Sequence, residues 1–174
     1  MRKIHLPIEE GELLSLKAFD QVLLSGKLYV GRDQVHSRLF DLLEKKLELP
    51  LTLQGQAIYY MGPSPAPPGF PLGACGPTTS ARMDPFAPRL LDEGLRVMVG
   101  KGPRSAAVVS SIIANKALYL QAYGGCGALY ASKIKKVETV AFAELGPEAL
   151  LCLEVEDFPV IVAIDSNGTS VFTR

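Results

Sequence analysis

Two rhythms of apolar residues alternate along the chain, one with a period near two and one near 3.6. Residues 3–30 read as strand-rich. Residues 3–7 form a short apolar alternation, and residues 22–30 carry apolar residues on both sides of a Ser25-Gly26 turn signal, with Tyr29 and Val30 favouring a strand. A helix is expected next: Asp33 is a capping residue, Val35, Leu39, Leu42, Leu43 and Leu47 recur at helical spacing, and Pro50 ends the segment. The apolar run 57–61 reads as a buried strand. Further on, the pattern predicts a helix over 83–95, with Pro85 and Pro88 tolerated in its first turn, a strand over 96–99, a helix over 105–116 and a strand over 117–122. A helix over 127–134 and strands over 137–142, 150–155 and 160–164 follow, and Asn167-Gly168 predicts a hairpin turn into Val171 and Phe172. Strands that alternate with helices mean an α/β layered domain.

One segment breaks the rhythm. Residues 62–77 hold six of the chain's 13 prolines and several glycines, a composition shared by disordered linkers. The segment also contains Phe70, Leu72 and Cys75 and carries no charge run, which favours an ordered functional loop. With 174 residues and 48% hydrophobic content the chain fits a single domain, residues 1–174, with a real core. No internal repeat interrupts it.

Composition narrows the function classes. Lys and Arg together number 18 and so do Asp and Glu; nucleic-acid binding, which usually needs a basic excess, is therefore a poor reading. No apolar stretch is long enough to span a membrane, and the start, MRKIHLPIEEGE, lacks an apolar signal core. Cys75, Cys126 and Cys152 are odd in number, far apart and form no CxxC pair, which suits a reduced compartment. These features point to the cytoplasm.

Four polar, glycine-containing clusters stand out from the apolar background. They are Gly31-Arg32-Asp33, the run GPTTSAR at 76–82, the run GKGPRS at 100–105, and Gly124-Gly125-Cys126-Gly127. Three follow a predicted strand and open a helix; the cluster with Thr78 follows the proline loop and also opens a helix. Open α/β sheets bind ligands beyond the carboxyl ends of their strands, where helix N-termini favour anions. Arg32 and Arg82 can each clamp a carboxylate through two parallel hydrogen bonds. Lys101, flanked by glycines, presents a point charge, and Thr78, Thr79 and Ser80 add hydroxyls. That set suits a small hydroxylated dicarboxylate. Neither GxxxxGK[ST] nor GxGxxG is present, which weakens a nucleotide-binding reading.

Plainer readings stand beside these. Residues 78–80 can be a helix cap, Arg82 and Asp84 a surface ion pair, Lys101 a solvated turn residue and Gly124-Gly125 a tight turn. His36 lies one turn beyond Arg32 and, taken alone, reads as a surface histidine; His5 reads as structural. Residue types alone support an anion-binding α/β domain and little more.

Longer runs carry more information. GACGPTTSARMDPFAPRLLDEGLRVMVGKGPRS (73–105), YGGCGALYASKIKKVE (123–138), LEVEDFPVIVAIDSNG (153–168) and GRDQVHSRL (31–39) resemble the C-terminal, or β-subunit, region of class I fumarases and L-tartrate dehydratases. The similarity extends from about residue 4 to residue 172, and the GPTTSxRMD run is long and specific. The resemblance implies a swivelling three-layer β/β/α domain. It implies a hydro-lyase that hydrates fumarate to malate or dehydrates tartrate, with a [4Fe–4S] cluster held by a separate α subunit and not by this chain. Because the chain starts at Met1 and lacks the cluster region, a hetero-oligomer of two α and two β subunits is expected. Carried over position by position, Thr78 matches the proposed base and Lys101 the family's active-site lysine. Arg32 and Arg82 match substrate-carboxylate ligands. Thr79 and Gly76 are expected to contact substrate, with His36 and Gly125 as further candidates and no metal ligand in this chain. Two departures are visible: Ala74-Cys75 precedes GPTT where the family often has Ser-Cys, and the turn at 124–127 reads Gly-Gly-Cys-Gly where the family has a Gly-Gly-Ala-Ala type. A non-catalytic carboxylate-binding module of the same fold is the rival reading.

Overall fold

The computed structural model describes residues 1–173. Its strands are β1 (Arg2–Leu6), β2 (Gln21–Val30), β3 (Ala57–Tyr59), β4 (Val97–Gly100), β5 (Leu118–Gln121), β6 (Ile134–Ala141) and β7 (Leu150–Ile164). Its α-helices are α1 (Glu10–Ser15), α2 (Asp33–Glu44), α3 (Ala87–Asp92), α4 (Ala106–Asn115) and α5 (Gly127–Ser132), and 3₁₀ turns cover Ser80–Met83 and Ala143–Glu148. All strands join one sheet in the order β1-β2-β3-β4-β5-β7-β6, and β2 also pairs with β7. The neighbours from β1 to β5 run parallel, while β7 is antiparallel to β2, β5 and β6. The β2–β7 ladder therefore closes the strands β2, β3, β4, β5 and β7 into a ring.

Why these strands are apolar on both faces follows from where each face points. Tyr59, Val97, Val99, Leu118 and Leu120 enter one core together with Leu24, Leu28, Leu153, Phe158 and Val160 from the antiparallel side. The alternate residues Ile58, Tyr60, Met98 and Tyr119 enter a second core, which Val35 and Leu39 of α2, Leu90 and Leu91 of α3, and Val108 and Ile112 of α4 close from the other side. Parallel strands covered on both faces read as continuous hydrophobic runs. Each fully buried Leu or Ile contributes roughly 1.5–3 kcal/mol, so the two cores carry the stability.

The predicted α/β alternation is present, with several corrections. The segment before β2 holds the short helix α1, which too few apolar positions had marked. Ser25-Gly26 is no turn: the strand runs through it with a bulge, Gly26 taking φ +113° where a Cβ would strike the Leu6 backbone. The helix expected over 83–95 shrinks to a 3₁₀ turn and α3, and α2 ends before Leu47, which is exposed. The two strands expected over 150–164 are one, β7, which passes through Asp157 at φ +52°. Gly168 makes the expected turn at φ +84°, but Ser170 forms only a single bridge to Ile164. Among the described residues no helix is long and apolar enough to cross a membrane.

Candidate active site

Because β2, β3, β4 and β5 are parallel, their carboxyl ends share one edge, and the polar clusters gather there. Gly31 and Arg32 follow β2, and Lys101 follows β4. The proline loop returns the 76–82 segment to the same edge: the Thr78 amide donates to the Tyr60 carbonyl at 2.7 Å, and Thr79 bridges Lys101 as a short parallel pair. A Cβ at Gly124, after β5, would lie 3.9 Å from Lys101 Cδ. Gly76 abuts Gly127, and Cys75 accepts this approach by donating its amide to the Gly127 carbonyl at 3.1 Å. Gly125 occupies the left-handed region at φ +76° with open space around it, so its place is a turn into α5.

The two arginines differ from the free clamps that residue types suggest. Arg82 makes a bidentate pair with Asp33, Nε to Oδ2 at 3.1 Å and Nη2 to Oδ1 at 2.8 Å. The Arg82 hydrogen bond holds the Asp33 carboxyl below its ordinary value. Arg32 Nη2 donates to Glu148 Oε1 at 2.7 Å. Asp84 is therefore not the partner of Arg82. It pairs with Arg104, whose Nε lies 2.6 Å from Asp84 Oδ1, and its second oxygen accepts the Ser105 amide at 2.8 Å. Lys101 forms no salt bridge, and the Thr78 and Thr79 hydroxyls form no hydrogen bond, among the described residues.

Neither the helix cap nor the surface histidine survives. Thr79 precedes the 3₁₀ turn without a side-chain cap, and the turn spans only four residues, so little helix dipole reaches Thr78. Ser80 is buried and ties the Lys101 loop down: its Oγ accepts the Lys101 amide at 3.0 Å and donates to Tyr119 Oη at 2.8 Å, which in turn donates to the Gly102 carbonyl at 2.7 Å. Gly100 must lack a side chain, because a Cβ there would collide with Ser80 Oγ. His36 is fully buried, edge-on to Tyr60 at 5.3 Å, and its Nδ1 lies 2.7 Å from the Arg32 carbonyl. That carbonyl can only accept, so Nδ1 carries the proton and Nε2 is left without a partner. Burial lowers the His36 pKa to about 4, so the ring is neutral near pH 7. His36 braces the Arg32 backbone through this Nδ1 bond.

Sequence reasoning gave Gly62, Glu148, Asp84, Arg104 and Tyr119 no role beyond the Arg82–Asp84 pair, although each touches a residue of this edge. Arg104 lies inside the GKGPRS cluster, which was the one signal available. The larger cavities lie elsewhere. One of about 450 Å³ sits at the opposite edge beside Gln54, Arg96 and Asn115, and one of about 440 Å³ lies between the proline loop and α5. Neither is lined by Arg32, Thr78, Arg82 or Lys101, and at their edge Arg82 and Asp33 are about half exposed.

A family model described as Fumarase C-terminus matches residues 1–174. The chain belongs to the fumarase C-terminus family. It is 37% identical over 175 residues to the anaerobic class I fumarate hydratase of Escherichia coli, a match that covers 98% of this chain and 32% of that protein. It is 39% identical over 153 residues to the mitochondrial fumarate hydratase 1 of Leishmania major, covering 87% of this chain and 28% of that protein. A protein of Methanocaldococcus jannaschii provisionally named L(+)-tartrate dehydratase subunit beta is 37% identical over 167 residues, covering 92% of this chain and 86% of its own length. The chain thus spans about a third of the fumarate hydratases and most of the β subunit.

The family implies a [4Fe–4S] cluster, and the residues here do not fit one. Cys75 is buried with Sγ 3.0 Å from the Gly73 carbonyl, and burial pushes its thiol up to about 11. Cys152 is buried within β7. Among the described residues no group of three or more His, Cys, Asp or Glu side chains is placed to hold a metal ion.

Proposed function

We propose that this chain is the dicarboxylate-binding half of a hydro-lyase, and that a second, cluster-bearing region completes its site. The convergence of Arg32, Thr78, Arg82 and Lys101 at one open sheet edge carries this reading. The reaction is reversible elimination of water from a 2-hydroxydicarboxylate, malate to fumarate first and tartrate to oxaloacetate as the alternative. The two cores, stacked on either side of the parallel strands, support the swivelling three-layer β/β/α description over the whole chain, residues 1–174. The partner is an α subunit in a cytoplasmic assembly of two α and two β chains. There the iron–sulfur cluster would supply Lewis-acid chemistry at the leaving hydroxyl.

Within this chain the roles follow from chemistry and position. Arg82 and Arg32 receive the two substrate carboxylates, Arg82 by exchanging its exposed Asp33 carboxylate for one of them. Thr78 Oγ1, as its alkoxide, takes the C–H proton and becomes the hydroxyl; the electron pair of that bond becomes the double bond as the C–O bond breaks and its pair departs with hydroxide. An alcohol does this only as an alkoxide, so a nearby cation must stabilise it. Lys101, whose backbone bridges Thr79, would supply that cation once the partner excludes water. Thr79 and Gly76 shape the substrate's seat, and Gly125 turns the chain beside it.

Reconstituting the chain with a cluster-bearing partner and assaying malate, fumarate and both tartrates tests the reading. Turnover of one substrate is expected, with Thr78→Ala losing about 10²–10⁴-fold in kcat, the range of general acid–base catalysis. Thr78→Ser should retain much of the activity. Full activity in Thr78→Ala removes Thr78 from the mechanism, and an inert wild-type pair sinks the hydro-lyase reading.

A further inference from the structure

Arg32 sits in a seat built from three separate segments. It is the residue before α2, and its side chain makes no cap to that helix. Its guanidinium lies flat against Gly62, in the loop after β3. A Cβ at Gly62 would stand 2.5 Å from Arg32 Cζ, 2.7 Å from Nη2 and 2.9 Å from Nε. Gly62 is not among the positive-φ glycines, so its backbone conformation does not demand glycine; the guanidinium does. The third wall is the 3₁₀ turn Ala143–Glu148. Glu148 Oε1 accepts from Arg32 Nη2 at 2.7 Å, and Glu148 Oε2 accepts from Gln34 Nε2 at 2.9 Å.

Each contact has a consequence. Gln34 occupies the second oxygen of Glu148, so that carboxylate is fixed and does not swing away with its arginine. The bond to Arg32 uses Nη2 alone. Nε is buried against the loop and has no partner, and Nη1 makes no hydrogen bond among the described residues. The guanidinium therefore keeps one terminal edge for a further anion while its other side is pinned. A long side chain fixed before the ligand arrives loses less rotamer freedom on binding.

We propose that Gly62 and Glu148 are positioning residues that set Arg32 as a preorganised clamp for a substrate carboxylate. The inference rests on the dicarboxylate reading above and adds the device that holds one of its clamps. Glu148 acts as a strut, not as a placeholder that the substrate expels.

Gly62→Ala tests this cleanly, because the atom it strikes is the end of a flexible side chain and not backbone. The variant should fold with an unchanged urea midpoint and displace only the guanidinium. In the reconstituted complex, KM for malate should rise roughly tenfold with kcat nearly unchanged, the pattern of lost uniform binding. Calorimetric binding of malate should weaken by the same factor. Glu148→Ala should act in the same direction, and Glu148→Gln should recover part of the loss, since an amide oxygen still accepts from Nη2. Unchanged KM in Gly62→Ala, or tighter malate binding in Glu148→Ala, overturns the proposal. A wild-type pair that binds malate without turning it over sinks the hydro-lyase reading and leaves the seat to the binding arm. A pair that does neither sinks both.

Discussion

Two arginine–aspartate pairs, Arg82 with Asp33 and Arg104 with Asp84, belong to different physical worlds. Arg82 and Asp33, on the open edge, have side chains 50% and 43% exposed. Arg104 and Asp84, one layer below, have side chains 0% and 14% exposed. Their bonds are similarly short, 2.8 Å and 2.6 Å. Burial, not bond length, decides what each arginine is free to do. Arg104 lies over the rings of Tyr119 and Tyr60, 4.8 Å and 5.3 Å from their centroids, and Asp84 is further committed to the Ser105 amide. Removing that guanidinium strands a carboxylate. Arg82 is solvated on one side, and exchanging Asp33 for another carboxylate costs little.

The sharpest way to break this contrast is to delete the buried cation. Arg104→Met should destabilise the chain by about 3 kcal/mol, the low end for breaking a buried pair because Asp84 keeps some exposure. Urea denaturation at pH 7 reads it. Arg104→Met combined with Asp84→Leu should recover much of the loss, since apolar residues can replace a whole buried pair. A loss in Arg104→Met no larger than a surface pair gives would erase the distinction between the two layers.

His36 supplies the next effect, and its sign is opposite to that of a histidine stabilised by a carboxylate. Burial is the main cause of its lowered pKa, Arg104 adds to it, and the Arg32 carbonyl and Asp33 act against it. The folded ring refuses a proton until about pH 4, whereas an unfolded one accepts it near 6.5. Between those values the unfolded state binds more protons, so stability falls as pH falls, by on the order of 3 kcal/mol in total. Stability curves of wild type and His36→Gln between pH 7 and pH 4 check this, because their difference cancels the carboxylates common to both. Parallel curves would show that His36 takes its proton as readily in the folded chain.

The same contrast explains what the sequence allowed to be read. Local periodicity disclosed α2, α4, β4 and β5, because their apolar faces repeat within a turn or a strand. The clusters at 31–33, 76–82, 100–105 and 124–127 were visible as glycine-containing polar breaks in an apolar background, and parallel strand order then had to bring them together. Pairings across distance were not legible. Asp84 sits two residues from Arg82 yet bonds Arg104, and Arg82 bonds Asp33, 49 positions away. No spacing rule spans such gaps. His36 looked like a surface residue because nothing local shows that Tyr60 and Phe86 cover it. Ser25-Gly26 and Asp157 looked like breaks because bulges and turns use the same residue types, and only the partner strand tells them apart.

The smallest expected effect is the most informative about the edge. Asp33→Asn removes the charge of the group that pairs with Arg82 where both side chains are wet, so stability should change by less than about 1 kcal/mol. The guanidinium has lost a charged competitor, which should tighten malate binding to the reconstituted complex while the urea midpoint stays put. Both measurements are needed, because a loose arginine without a seat gains charge but loses aim. If malate binds more weakly in Asp33→Asn with stability intact, Asp33 aims Arg82 as Glu148 is proposed to aim Arg32. The exposed pair would then be a second strut, and what separates the edge from the layer beneath it would be solvent alone.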